Sequence, residues 1–189
     1  MSNLSGKTFS RRQLLFRSSK SQSAERAGMP NRLPWADGPG IENSCTGCGA
    51  CVAACPENII VLSENRKASV DFSKGECVFC EACAESCSEP VFINAALRAQ
   101  RKPWIGSAFI DERCLSSRGI TCQICKDQCP EAIISFPPVI GGAATPIVNA
   151  AGCTACGACL SPCPTEAIDI HWEIEHEDQQ YHKEEEWVE

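Results

Sequence analysis

Four short runs of cysteine constrain this chain more than any other feature. Three share the spacing Cys-x2-Cys-x2-Cys-x3-Cys: Cys45, Cys48, Cys51, Cys55; Cys77, Cys80, Cys83, Cys87; and Cys153, Cys156, Cys159, Cys163. The third run in chain order is stretched, with Cys114, then seven residues, then Cys122, Cys125 and Cys129. Together the runs use all 16 cysteines of the 189 residues. The gaps between successive runs are 21, 26 and 23 residues, so the longest falls between runs two and three. That gap reads as a joint between two duplicated units, runs one and two and runs three and four.

Cysteine at this density fits either a disulfide-stapled secreted protein or a metal protein of a reducing compartment. An export signal would favour disulfides. Ser10-Arg11-Arg12-Gln13-Leu14-Leu15-Phe16 resembles the start of a twin-arginine signal, but residues 17–26 carry no apolar run after it. A signal peptide needs an apolar stretch of roughly 7–15 residues and a membrane span about 20. The expectation is a cytoplasmic chain without a membrane span, its thiolates available to metal.

The spacing suits a cubane of four irons, each needing one thiolate from a different direction. Two intervening residues let a tight loop wrap three cysteines around three corners, with backbone N–H groups turned toward the cluster sulfurs. A helical turn carries the fourth cysteine away, and in two-cluster ferredoxins it ligates the other cluster. On that rule the four 4Fe–4S sites are Cys45, Cys48, Cys51 with Cys87; Cys77, Cys80, Cys83 with Cys55; Cys114, Cys122, Cys125 with Cys163; and Cys153, Cys156, Cys159 with Cys129. Zinc is the competing metal. Its sites usually separate two cysteine pairs by a dozen or more residues and often recruit histidine. The three histidines, His171, His176 and His182, lie on the terminal strand or the acidic tail and read as solvated side chains.

Net charge is −7 with cysteines neutral. Each loaded site adds roughly −2, which takes four sites to about −15. Such a body repels nucleic acid, and a basic patch on a protein partner would attract it.

The expected fold is α+β: tandem bacterial two-cluster (8Fe) ferredoxin-like modules, with short hairpins and helical turns around the clusters. The expected limits are a flexible basic arm over 1–40, module one over 41–100, module two over 101–174, and an acidic tail over 175–189. The first 35 residues hold seven basic residues against one acid, Glu25. After run one, Ile59–Leu62 and the alternating Val70 and Phe72 read as a β-hairpin across polar residues 63–67. Ile133–Phe136 and Pro146–Asn149 occupy the equivalent place after run three. Ile168, Ile170, Trp172 and Ile174 alternate with polar residues, as in a half-buried strand. Residues 52–54 and 84–86 suit single helical turns, and prolines at 56, 130 and 164 stop such turns.

The runs differ in detail. Glycine follows the second cysteine in runs one and four (Gly49, Gly157), while Glu81 and Gln123 stand there in runs two and three. An ionised Glu81 is expected to lower the potential of its cluster relative to that of run one, since nearby charge is one of the determinants of potential.

The four-run layout, the Arg11-Arg12-x-Leu14-Leu15 arm with no export segment after it, and the stretched third run resemble the NapF family, the ferredoxin-type proteins of periplasmic nitrate reductase systems. The resemblance implies a cytoplasmic accessory electron donor or maturation factor. Its partner would be the molybdenum-containing catalytic subunit of nitrate reductase before export. The arm is then the candidate docking element, with Arg11, Arg12 and Arg17 supplying charge and Leu14, Leu15 and Phe16 an apolar patch. The alternative is an electron-transfer subunit of another oxidoreductase complex. An enzyme is not expected, because four clusters consume every cysteine and leave no open iron for a substrate.

Overall fold

The computed structural model describes residues 33–36 and 38–172. Its elements are brief. In chain order they are α1 (Gly38–Ser44), α2 (Ala50–Ala54), β1 (Ile60–Leu62), β2 (Ala68–Val70), α3 (Ala82–Glu85), α4 (Ala95–Arg98), β3 (Gly106–Ile110), α5 (Ile124–Gln128), β4 (Ile134–Ser135), β5 (Ile147–Val148) and β6 (Ile168–Trp172).

Proline sets where two of the helical turns end. A residue preceding proline is pushed out of the helical region into extended backbone. Accordingly α2 ends at Cys55 (φ −75°, ψ 114°) before Pro56, and α5 ends at Cys129 (φ −78°, ψ 112°) before Pro130. Run two has no proline there, and α3 closes at Ser86 still in a helical conformation (φ −81°, ψ −8°).

The strands form three antiparallel pairs. β1 pairs with β2, Ile60 facing Val70, and β4 pairs with β5, Ile134 facing Val148. These are the two hairpins expected after runs one and three, each shorter than its apolar stretch. β6 follows the expected alternation, with Ile168 and Ile170 buried; Ile174 lies outside the described residues. The partner of β6 is β3, which sequence reading did not find, with Gly106 facing Trp172 and Ile110 facing Ile168. The first half holds one isolated bridge in the corresponding place, Ala36 to Phe92. The element order of the first half thus recurs in the second: an outer strand or bridge, a run, a hairpin, a run, and the outer strand's partner.

The expected arm over 1–40 is too long at its C-terminal end. Leu33 and Trp35 are 2% and 7% exposed, and Gly40 is buried in α1. The Trp35 N–H donates to the Pro103 carbonyl (2.8 Å), its indole Nε1 to the Arg101 carbonyl (3.1 Å), and its own carbonyl accepts from Ile93 (3.0 Å). Large apolar side chains beside Pro34 found a packed surface that the Pro/Gly content concealed. Residues 1–32, including the expected docking residues, lie outside the described residues.

Trp104 is the hub of the core. It meets Phe72 edge-on (5.7 Å between centroids), Phe79 edge-on (6.1 Å) and Trp172 at a tilt (5.7 Å). Phe79 in turn meets Trp35 at 6.4 Å. Aromatic pairs in these geometries contribute about 0.5–1.5 kcal/mol each beyond the area they bury. The indole Nε1 of Trp104 is buried without a hydrogen-bond partner. Trp104→Ala should therefore cost about 3–5 kcal/mol, whereas Trp104→Phe, which removes the unpartnered N–H and keeps a ring, should cost far less. Chemical denaturation of both variants measures the difference, and equal losses would contradict it.

Candidate metal centres

Around the cysteines the backbone repeatedly takes a conformation that L-residues avoid. The second residue after the first cysteine is left-handed in runs one, two and four: Gly47 (φ 68°), Phe79 (56°) and Ala155 (55°). So is the residue following the second cysteine: Gly49 (81°), Glu81 (60°) and Gly157 (85°). A left-handed residue also stands three positions after the fourth cysteine in runs one, three and four: Asn58 (55°), Ala132 (51°) and Glu166 (50°). Left-handed residues alternating with right-handed ones turn successive N–H groups toward one side, forming a concavity suited to an anion. Non-glycine residues held this way cost of order 1–3 kcal/mol each, and such strain gathers at functional sites.

These loops surround four cavities, each ringed by four cysteines. The first ring comprises Cys45, Cys48, Cys51 and Cys87. The second comprises Cys77, Cys80, Cys83 and Cys55. The third comprises Cys114, Cys122, Cys125 and Cys163. The fourth comprises Cys153, Cys156, Cys159 and Cys129. The structure therefore brings all sixteen sequence-predicted residues to cavities, three from one run with one from its neighbour. None of the sixteen is in a disulfide. The walls between rings are shared. Alternate residues of the β3–β6 pair line the fourth cavity (Ala108, Ile170) and the third (Ile110, Ile168).

Burial shapes the thiols. It pushes Cys83 and Cys159 up to about 12, with neighbouring Cys77 and Cys156 adding to the shift, and pushes Cys77 and Cys125 up to about 11. Cys51 and Cys156 are raised as well, burial again leading. A group that binds thiolates must displace these protons, so its binding and proton release are coupled. Backbone N–H groups meet some of the sulfurs: Cys153 Sγ accepts from Ala108 and Ala155 (both 3.4 Å), and Cys163 Sγ from Ala167 (3.3 Å). Such bonds to sulfur are among the determinants of an iron–sulfur potential. Among the described residues, no group of three or more His, Cys, Asp or Glu side chains converges on a position for a single metal ion. Each quartet encloses a volume.

A 4Fe-4S dicluster domain matches the sequence over residues 44–91 and again over 118–177. The ferredoxin-type protein NapF of Haemophilus influenzae is 39% identical over 145 residues, covering 74% of this chain and 78% of that protein. The ferredoxin-type protein NapF of Escherichia coli K12 is 36% identical over 142 residues, 75% of this chain and 84% of that protein. The chain belongs to the NapF family. It is an iron–sulfur electron-transfer protein of the ferredoxin type. The methylamine utilization ferredoxin-type protein MauM of Paracoccus denitrificans is similar at greater distance, 31% identical over 163 residues, 79% of this chain and 71% of that protein.

Two side chains that sequence reading missed support the rings of this NapF-family chain. The first is Ser116, buried at 3% exposure inside the stretched run. Its hydroxyl donates to the Cys122 carbonyl (2.7 Å) and accepts from the Cys122 N–H (3.0 Å). The intervening loop folds on itself through Arg118 N–H to the Cys114 carbonyl (3.1 Å) and Ile120 N–H to the Leu115 carbonyl (2.9 Å). The five extra positions are thus looped out, and Cys122 is returned to the ring that Cys114 begins. A lone serine in a loop gives no sequence signal of this.

The second is Arg98. Its Nε donates to the Glu81 carboxylate at 2.8 Å and its Nη1 to the Ile93 carbonyl at 3.0 Å. Asn94 caps α4 by accepting from Leu97 N–H (2.9 Å), which positions the arginine. Glu81, expected as a bare charge beside its cluster, is instead one half of an ion pair. The arginine offsets its field at the second ring. His171, expected as a solvated side chain, stacks on Phe109 at 4.5 Å at the surface; His176 and His182 lie outside the described residues.

Two outcomes follow from these contacts. Ser116→Ala should lower the iron content of the anaerobically loaded protein, and Ser116→Thr should retain it. Full iron content in the alanine variant would show that the loop closes without the hydroxyl. Arg98→Ala should lower the potential of the second-ring site and Glu81→Gln should raise it. Shifts of the same sign in redox titration would contradict the ion-pair account.

Proposed function

We propose that each cysteine quartet holds one 4Fe–4S cluster, four in all, and that the chain is built as two two-cluster ferredoxin-like modules joined in tandem. The observation that carries this reading is the composition of the rings. Every ring takes three cysteines from one run and the fourth from the neighbouring run, the exchange that typifies two-cluster ferredoxins. The chemistry fits the group: four soft thiols per ring, apolar walls, and N–H-lined concavities for the net negative charge of a thiolate-bound core. When bound, the clusters supply one-electron redox chemistry. The chain's own residues hold them apart from water, set their surroundings and space them through one body.

The chain further acts as a cytoplasmic electron donor or maturation factor for the catalytic molybdenum subunit of a periplasmic nitrate reductase before its export. What supports this is membership of the NapF family and the basic segment holding Arg11, Arg12, Leu14, Leu15, Phe16 and Arg17, opposite in charge to an acidic body. No helix among the described residues is long and apolar enough to cross a membrane. A second reading, service to another oxidoreductase, draws on the likeness to a protein whose name refers to methylamine utilization.

Anaerobically purified protein should contain about sixteen irons and sixteen acid-labile sulfides per chain; a content near eight would overturn the four-cluster assignment. Cys87→Ser should remove the site built mainly from run one, leaving the run-two site spectroscopically intact. Deleting residues 1–32 should keep the iron and weaken binding to the metal-free nitrate reductase subunit. Undiminished binding would remove the arm from the account.

A further inference from the structure

The four rings stand in a definite spatial order that differs from their order along the chain. Within the first half, α2 carries Cys51 of the first ring, and Cys55 directly after it closes the second; Cys87 returns from run two to close the first. The third and fourth rings are tied by the same exchange of Cys129 and Cys163. Between the halves, the backbone N–H of Cys77 donates to the carbonyl of Cys156 at 2.8 Å. A residue of the second ring is therefore bonded directly to a residue of the fourth.

Apolar groups pack beside that contact. Phe79, between Cys77 and Cys80, packs on Trp104, and Phe72 packs on the same indole. Gly157, next to Cys156, lies so close beneath Phe72 that a Cβ there would stand 2.1 Å from the ring's Cδ1. Ala155 and Ala158 on the same run are 1% and 5% exposed. Cys77 and Cys156 themselves are half-buried beside this packing.

We propose that electrons cross this chain along one ordered path, first ring to second to fourth to third, with the Cys77–Cys156 contact as the junction between the halves. The path rests on the reading that each quartet holds a cluster. One electron arrives from a reduced protein donor at one end and leaves to an oxidised protein acceptor at the other. Each hop oxidises one site by one charge and reduces the next by one; no bond is made or broken. The first and third rings are the two termini. The stretched run, central in the sequence, lies at an end of the path.

The test is electron paramagnetic resonance of the fully reduced full-length protein, read together with iron content. A variant lacking the outer pair (C48A/C87A/C122A/C163A) should keep the splitting of two neighbouring paramagnets. A variant lacking the inner pair (C55A/C80A/C129A/C156A) should show two unsplit signals. The reverse pattern overturns the order. Gly157→Ala drives a methyl group into Phe72 and so should diminish the inner splitting, with the iron content read on the same sample; Phe72→Ala added to it should restore the splitting. Splitting untouched by Gly157→Ala would overturn the junction. A wild-type content near eight irons would strike the four-cluster reading instead, and the same samples report it.

Discussion

Everything in this fold depends on bringing sixteen thiols into four rings. Strands of two to five residues and helices of four to seven cannot enclose much apolar area among themselves. The loops that carry the cysteines occupy the interior where a larger protein would place side chains of strands and helices. Left-handed residues beside the cysteines store strain in those loops, and raised thiol pKa values add a cost to forming the thiolates that a metal needs. Both costs are offset when a group that prefers thiolates and inward N–H donors fills the rings. The architecture is organised by what it binds more than by hydrophobic burial.

The two halves solve the same problem with different means. The second half closes its outer edge with a five-residue strand pair, β3 and β6, and the β3 backbone donates to Cys153 Sγ. The first half has a single bridge, Ala36 to Phe92, and relies on Leu33, Trp35 and Val91 to cover the same edge. Run two replaces glycine with Glu81 and steadies it with Arg98, while run three absorbs an insertion through Ser116. The same element order recurs in both halves, and local side chains accommodate each departure from it.

What sequence reading captured were features with short-range signatures. Cysteine spacing, apolar stretches flanked by polar turns, and proline after the fourth cysteine all act within a few residues, and the matching loops, hairpins and helix ends are present. The misses are long-range. β3, Gly-Ser-Ala-Phe-Ile, has too weak an alternation to stand out, and its partner lies some sixty residues away. Arg98 reaches Glu81 across seventeen positions. Leu33 and Trp35 sit beside proline and glycine that suggest a linker, although both are buried and Trp35 is held by the remote carbonyls of Arg101 and Pro103. The ring composition itself was legible only because the exchange of a fourth cysteine follows from helix geometry, which carries that residue away from its own loop.

That exchange also has a bearing on synthesis. Neither ring of the first half is complete when run one leaves the ribosome, since Cys87 belongs to the first; both are complete once residue 87 has emerged. The second half repeats the delay until Cys163. All eight cysteines of the first two rings are therefore in the chain before any cysteine of the last two has been added, so synthesis presents the rings a pair at a time.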